Sequence, residues 1–356
     1  MGAVRFIRRH FGLLVLVAAC LSFGAAAGGY VAAGLLSARA QAEAREQRRN
    51  PRQTYPVNRA KVQAAMNRAR DNGPALRQAM IDEIVLKNVQ VQRTEEGFLA
   101  SYYGFRVRGL LSPGGGRCLV VYVQGHTGSP NDFDYYREIA RAAHARGCDV
   151  LGFSLVGIGL NAGPVSFPSA RLGQTVHLSA SEAANHETYR LFADELHPQA
   201  TPLSLFLSGH YAILREAVRG YEDVSIIGIS GGGWATTMLA AMTPEIDRSI
   251  SWAGSLPREY RLFGLDIGDF EQDGPFFDRF DYWTLYMMGE IDAAGRSTRS
   301  VVLVYNDQDD CCFADPAASA FRQDMLGFGW PNVIVVKSTS HVIEPELAKQ
   351  LLFPRS

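Results

Sequence analysis

The stretch Val224-Ser225-Ile226-Ile227-Gly228-Ile229-Ser230-Gly231-Gly232-Gly233-Trp234 joins an apolar run to a glycine-rich turn, and it decides the fold. Residues 224–229 predict a buried strand, and residues 234–241 predict a helix. Gly228, Ser230 and Gly232 form the pattern G-x-S-x-G. Between a strand and a helix, this pattern holds a serine on a sharp turn with its hydroxyl exposed. A glycine-rich turn before a helix can instead bind phosphate, but the context favours a nucleophilic serine.

Apolar runs alternate with helical stretches along most of the chain. Runs rich in β-branched residues, which predict buried strands, lie at residues 118–123, 149–153, 224–229, 248–252, 301–305 and 333–336. Residues 133–145 predict a helix, and residues 61–86 a helical lead-in that Asn72-Gly73-Pro74 interrupts. Residues 84–91 and 98–107 predict a hairpin. This order predicts a mainly parallel, doubly wound α/β sheet.

Two long segments, residues 155–202 and 254–300, do not fit the alternation. Loops of this length in a compact domain are usually functional, so we expect these insertions to form a lid and to select the substrate. The first contains His186, a candidate supporting or loop-capping residue. The second carries aromatic residues that either line a pocket or pack the lid onto the sheet: Phe276, Phe277, Tyr282, Trp283 and Tyr286.

From residue 119 to the C-terminus the chain resembles the α/β-hydrolase family. The resemblance is carried by the turn at Ser230, the strand order and the loop Gln124-Gly125-His126-Thr127-Gly128-Ser129. Within the family it is similar to the dienelactone-hydrolase and acetyl-xylan-esterase branch, although dienelactone hydrolases use a thiol where this chain has Ser230. The resemblance implies hydrolysis of carboxylic esters through an acyl-enzyme, with no metal or organic cofactor. The expected substrate is a small-molecule ester or an acylated glycan.

The resemblance also implies a catalytic triad in the chain order Ser, acid, His. Of the eight histidines only His341 follows Ser230, just after the last predicted strand. The acid is expected after residues 301–305, where Asp307, Asp309 and Asp310 are all candidates. Aligning Asn306 with the glycine of a G-x-x-D motif selects Asp309, with Asp310 as the next choice. The predicted oxyanion donors are the backbone N–H groups of His126 and Gly231.

The N-terminal region has the character of an export signal or a membrane anchor. Residues 11–36 contain no charged residue, and about 20 apolar residues suffice to span a bilayer. Residues 1–40 are therefore assigned to a signal or a single-pass anchor, residues 41–60 to a polar stalk and residues 61–356 to the hydrolase domain. Either cleavage near Ala38-Arg39-Ala40 or retention is compatible with the sequence. The spacing of Gly24 and Gly28 allows self-association of membrane helices. We expect the catalytic domain to be extracytoplasmic, in the periplasm.

Composition excludes some classes of function and leaves others open. With 35 Lys+Arg against 36 Asp+Glu, the net charge of −1 provides no basic surface for a nucleic acid. Cys118 and Cys148 either form a disulfide or remain buried thiols, and Cys311-Cys312 either close a ring or stay reduced. No paired cysteine spacing typical of a zinc site is present in the sequence. The alternatives to an esterase are a catalytically silent binding domain at the membrane and a peptidase of the same fold.

Overall fold

A computed structural model describes residues 59–169, 172–186, 189, 201–261 and 275–354. Its strands are β1 (Gln90–Thr94), β2 (Gly97–Tyr102), β3 (Phe105–Ser112), β4 (Cys118–Val123), β5 (Asp149–Phe153), β6 (Val165–Ser169), β7 (Gln174–Leu178), β8 (Asp223–Ile229), β9 (Arg248–Trp252), β10 (Ser300–Asn306) and β11 (Asn332–Val336). Its helices are α1 (Arg59–Ile84), α2 (Asp134–His144), α3 (Ala180–Ala184), α4 (Pro202–Ala217), α5 (Gly231–Met242), α6 (Pro275–Arg279), α7 (Tyr282–Glu290), α8 (Ala317–Leu326) and α9 (Pro345–Leu352).

Nine of the strands in this part of the chain form one sheet, in the order β1-β2-β3-β5-β4-β8-β9-β10-β11. The pairs from β1 to β5 are antiparallel, and those from β5 through β4 to β11 are parallel. The mainly parallel sheet predicted from the sequence is thus confirmed. Because parallel strands end at the same edge, the loops after β4, β8, β10 and β11 meet there.

Helices cover both faces of the sheet, which explains why its central strands are apolar throughout. Helices α2 and α9 pack with Tyr122 and Ile227 on one face. Helices α1, α4, α5, α7 and α8 enclose the larger core on the other face. This two-sided burial gives the doubly wound architecture, and it fits an α/β-hydrolase fold.

The N-terminal part of this fold differs in detail from the prediction. Helix α1 begins at Arg59 and runs through the predicted interruption, with non-helical dihedrals at Asn72 and with Pro74 inside it. Proline lacks an N–H and clashes with the preceding turn, so the helix bends here instead of ending. Strand β1 begins at Gln90 and not near residue 84, because Ile84 is a buried residue of the last helical turn.

The five aromatic residues that the sequence singled out in the second insertion are buried and pack against other parts of the described structure. All five of the residues that the sequence offered, from Phe276 to Tyr286, are at most 5% exposed. The ring of Tyr286 lies 6.5 Å from that of Phe321 in α8, and Trp283 lies 5.7 Å from the same ring. These contacts favour the packing alternative for these residues. Parts of both insertions, residues 170–171, 187–188, 190–200 and 262–274, lie outside the described ranges.

The predicted membrane segment belongs to the part of the chain that the structure does not describe. Residues 1–40, and the predicted stalk as far as residue 58, lie outside the described residues. Within the part that the structure does describe, no helix combines the length and the apolar character that crossing a bilayer requires.

A disulfide joins two neighbouring strands of the sheet at their starts. Cys118 begins β4 and Cys148 precedes β5, and their sulfur atoms are bonded at 2.05 Å. Cys311 and Cys312 form a second disulfide. Both pairings that the sequence left open are thus formed in the structure.

Candidate active site

Ser230 occupies a strained turn between β8 and α5. Its φ of 57° and ψ of −130° lie in a region that costs a residue with a side chain of order 1–3 kcal/mol. The turn is held because Ser230 N donates to Trp252 O at 2.9 Å and Trp234 N donates to Ser230 O at 2.9 Å. A Cβ on Gly228 would lie 2.3 Å from the carbonyl oxygen of Gly232, so glycine is required. The partly exposed Ser230 is thereby placed at the carboxyl edge of the sheet.

The loop after β4 lies directly against this turn. A Cβ on Gly125 would lie 2.9 Å from Ser230 Cβ and 3.5 Å from Ser230 Oγ. A Cβ on Gly231 would lie 2.4 Å from Cε1 of His126, so the His126 ring covers that glycine. The first N–H groups of a helix have no intrahelical acceptor, and Gly231 is the first residue of α5. The structure thus brings both predicted oxyanion residues to Ser230.

Two buried polar residues hold this loop in place. Gln124 is 2% exposed, its backbone N donates to Phe153 O at 2.9 Å, and its side-chain oxygen accepts from the Tyr122 hydroxyl. His186, also buried, lies with its Nε2 2.9 Å from Val156 O and its ring 5.0 Å from that of His126. His186 therefore supports the loop through packing, a contact that its sequence neighbourhood does not reveal.

Asp309 and His341 form a pair at the same edge of the sheet. Asp309 follows β10 and His341 follows β11, and Nδ1 of His341 lies 2.8 Å from Oδ2 and 3.0 Å from Oδ1 of Asp309. Asp309 is fully buried. Asp307 instead accepts a hydrogen bond from Ser338 N at 2.9 Å, and Asp310 is exposed. Of the three acids that the sequence offered, the structure brings Asp309 to His341.

The Asp309 carboxylate is surrounded by hydrogen-bond donors. The backbone N–H groups of Cys311 and Cys312 donate to its Oδ1 at 2.8 and 3.1 Å. Burial alone would raise the pKa of Asp309, but the His341 hydrogen bond and charge, together with these two amides, hold the pKa below its usual value. An ionised Asp309 keeps the proton of His341 on Nδ1, which leaves Nε2 as a proton acceptor. That Nε2 is buried and has no hydrogen-bond partner among the described residues, Ser230 included.

Asn306 is a functional candidate that the sequence analysis missed. Its side-chain Nδ2 donates to Ser340 O at 2.9 Å and to Val342 O at 3.1 Å, on either side of His341. Nδ2 also lies 3.3 Å from Asp309 Oδ2, and Oδ1 accepts from Trp252 Nε1 at 3.0 Å. Asn306 therefore connects the loop that carries Asp309 to the loop that carries His341 through hydrogen bonds. The signal in the sequence is an amide residue at the buried end of an apolar strand.

One group of side chains here has the chemistry of a metal site. Cys311, Cys312 and His341 each offer one ligand atom, and these three atoms lie within 4.8 Å of one another. Cysteine sulfur and imidazole nitrogen are the ligands that zinc prefers.

Comparisons with known proteins identify neighbours among solved structures. No protein-family model matches the sequence, and no curated protein matches it. The chain is similar to Est1E of Butyrivibrio proteoclasticus bound to ferulic acid, with 17% identity over 70% of this chain and 93% of that chain, at a TM-score of 0.41. It is similar to acetyl xylan esterase 1 of Thermoanaerobacterium sp., with 16% identity over 84% of this chain and 94% of that chain, at a TM-score of 0.41. It is also similar to the esterase Pf2001 of Pyrococcus furiosus, with 14% identity over 74% of this chain and 88% of that chain, at a TM-score of 0.40.

The sheet order and the turn at Ser230 define the class of this protein as an α/β-hydrolase fold. The solved neighbours are esterases and related hydrolases, and the fold that the sequence resemblance implied agrees with the chain's own sheet order. Because these identities are 17% or less, the assignment of the fold depends on the chain's own topology and not on any one neighbour.

Proposed function

We propose that this protein is a serine hydrolase that cleaves carboxylic esters, with Ser230 as nucleophile, His341 as base and Asp309 as the acid that orients the base. One observation carries the proposal. The strained turn presents Ser230 at the sheet edge where the buried Asp309 and His341 are paired at 2.8 Å. Backbone strain of this kind persists only where the surrounding structure enforces it, and it concentrates at functional sites.

The proposed reaction uses these groups in a fixed order. Ser230 Oγ attacks the ester carbonyl carbon while its proton passes to Nε2 of His341. The N–H groups of Gly231 and His126 stabilise the negative charge that develops on the carbonyl oxygen. The tetrahedral intermediate then expels the alcohol, which takes the proton from Nε2, and an acyl-enzyme remains. Water then attacks the acyl-enzyme through the same steps, with His341 again accepting and returning the proton, and the carboxylic acid is released.

Ser230 and His341 are not hydrogen-bonded to each other in this structure. Catalytic hydrogen bonds are often long without substrate and shorten in the complex. The proposed reaction requires Nε2 of His341 to come within hydrogen-bond distance of the Ser230 hydroxyl in the substrate complex. Asn306 holds the His341 loop, and the amides of Cys311 and Cys312 hold the Asp309 carboxylate.

The proposal extends to where the enzyme acts. The uncharged run at residues 11–36 supports an export signal or membrane anchor, and disulfides such as Cys118–Cys148 persist in oxidising compartments. Both support an extracytoplasmic catalytic domain that acts on small acylated molecules or on acylated glycans of the cell envelope. The Gly24 and Gly28 spacing supports self-association of a retained anchor.

The test is ester hydrolysis by the purified full-length protein, with aryl acetates and longer aryl esters as substrates. Ser230→Ala is expected to lower kcat by at least about 1,000-fold while the circular dichroism spectrum is unchanged. Ser225→Ala is the matched control, since Ser225 lies buried in β8, the strand that leads into the Ser230 turn, and its hydroxyl accepts a hydrogen bond from Arg248. Retention of turnover by Ser230→Ala would refute the proposed nucleophile.

A further inference from the structure

The cysteine pair after the acid lies unusually close to the proposed base. Cys311 and Cys312 follow Asp309 by two and three residues, and their amides already bind its carboxylate. Their sulfur atoms and a ring nitrogen of His341 lie within 4.8 Å of one another. In the oxidised protein the sulfurs bind each other and are not available as ligands.

The spacing of the three ligand atoms suits a small tetrahedral cation. With metal–sulfur bonds of about 2.3 Å and a metal–nitrogen bond of about 2.0 Å, the ligand atoms of such a site stand roughly 3.5–3.8 Å apart. The distance from a ring nitrogen of His341 to the sulfurs, at most 4.8 Å, has to shorten by up to about 1 Å, and the two sulfurs, which are bonded to each other in the oxidised protein, have to move apart; side-chain rotation supplies such shifts once the S–S bond is open.

The contact between His341 and Asp309 leaves one nitrogen of the histidine ring available to a metal. Nδ1 of His341 is held by Asp309 at 2.8 Å, so Nε2 is the nitrogen left for a cation, and this atom is buried without a partner in the described part of the chain. Metal-binding histidines typically donate their other N–H to a carboxylate, which fixes the ring and raises the basicity of the ligating nitrogen. The Asp309–His341 pair has that arrangement.

We propose that Cys311, Cys312 and His341 form a binding site for a soft divalent cation of the Zn²⁺ type when the Cys311–Cys312 disulfide is reduced. Two thiolates and Nε2 supply three ligands, and water completes the tetrahedron. The bound cation occupies the lone pair that the proposed reaction needs, so it inhibits hydrolysis. The site itself requires no catalysis by Ser230; only its inhibitory effect rests on the proposed function.

Reduction by a water-soluble phosphine prepares the site. The S–S bond breaks, phosphorus gives up two electrons and becomes the phosphine oxide with the oxygen of one water, and the two protons of that water end on the two thiols. Metal binding then releases the thiol protons to the buffer.

Co²⁺ is the probe for binding, because Zn²⁺ is spectroscopically silent. The experiment uses the full-length chain carrying Ser230→Ala and Cys20→Ser, so that neither turnover nor the fifth cysteine contributes to the readout. After reduction and removal of the phosphine, we expect one Co²⁺ per chain with thiolate-to-metal charge-transfer absorption, displaced by one equivalent of Zn²⁺. The oxidised protein is expected to show none.

Variants distinguish this site from other thiols. Cys312→Ser and His341→Ala are each expected to weaken Co²⁺ binding by at least about 10-fold. Cys118→Ser combined with Cys148→Ser is the matched control, since it removes the other disulfide and keeps the site. No charge-transfer band in the folded, reduced protein would overturn the proposal, as would a band that persists unchanged in Cys312→Ser or His341→Ala.

A second measurement separates this proposal from the proposed function. In the Cys20→Ser chain with Ser230 intact, Zn²⁺ is expected to inhibit ester hydrolysis by the reduced form, with recovery on chelation, and to leave the oxidised form unaffected. Co²⁺ binding without hydrolysis in either redox state would contradict the esterase assignment and leave the metal site standing. Equal inhibition of both redox states would contradict the site.

Discussion

Replacing Asp309 by asparagine tests the assignment of the acid. Oδ1 of Asp309 accepts the N–H groups of Cys311 and Cys312 at 2.8 and 3.1 Å, so the oxygen of an amide introduced there must stay with these two donors. Its NH₂ group then faces Nδ1 of His341, which can only accept. The proton of the imidazole moves to Nε2, and the base loses its lone pair.

The expected loss follows from this change of tautomer. Where the acid of such a triad was converted to its amide, kcat fell on the order of 10,000-fold, which corresponds to about 5.4 kcal/mol of barrier. Because Asp309→Asn preserves shape and retains the two amide contacts, the far-ultraviolet circular dichroism and the urea midpoint are expected to change little by comparison. The assay is kcat/KM for an aryl acetate from pH 5 to 9.

Asp307→Asn and Asp310→Asn are the matched controls, since both acids lie in the same loop and neither carboxylate is paired with His341 in the manner of Asp309. Changes at such sites are usually within about 0.5 kcal/mol, so each control is expected to stay within roughly twofold of the unmodified enzyme. A large loss in Asp310→Asn, with Asp309→Asn nearly fully active, would refute the reasoning.

Three further changes test the site and the frame around it. Asn306→Ala leaves Trp252 Nε1 and two loop carbonyls unpaired, so it should lower the free energy of unfolding by about 2–5 kcal/mol. It should also lower kcat far more than Asn161→Ala, whose side chain makes comparable backbone contacts elsewhere; equal kcat in the two variants would deny Asn306 a positioning role. Burial raises the pKa of Glu290 to about 7 from 4.5. The native state thus keeps a proton that the unfolded chain releases, and stability falls as pH rises from about 4.5 through 7. Glu290→Gln should therefore stabilise the protein by up to about 3 kcal/mol at pH 8 and little at pH 4 in urea melts; equal stabilisation at both pH values would contradict this reasoning. Arg77, 5% exposed, donates to the carbonyl oxygens of Ala241, Met288, Ile291 and Asp292. Arg77→Met should cost about 3–5 kcal/mol of stability without changing KM of the folded enzyme, and a urea midpoint equal to that of the exposed Arg322→Met would contradict this.

The sequence predicts the parts of this fold that depend on local patterning. The strand at residues 118–123, the strand-to-helix turn at Ser230 and the mainly parallel character of the sheet all follow from apolar runs and glycine positions. The start of β1 was mispredicted because residues 84–89 are apolar enough for a strand, while the last turn of α1 and its burial against the core decide the outcome.

The parts of the site that could not be predicted depend on contacts between distant residues. Asn306 bonds to backbone 34 and 36 residues away, and nothing in its neighbourhood identifies those partners. Only the family resemblance singles out Asp309, because spacing alone leaves three equivalent acids. The proximity of Cys311 and Cys312 to His341 likewise arises only when β10 and β11 pair.

The most direct test of the central claim is labelling of the full-length protein with a fluorophosphonate, followed by peptide mapping of the adduct. Such probes react with a serine only when a base activates it. The account predicts one adduct, on Ser230, that is lost in His341→Ala although that variant remains folded. Folded protein that gives no adduct, or an adduct on Ser230 that persists in His341→Ala, would contradict it.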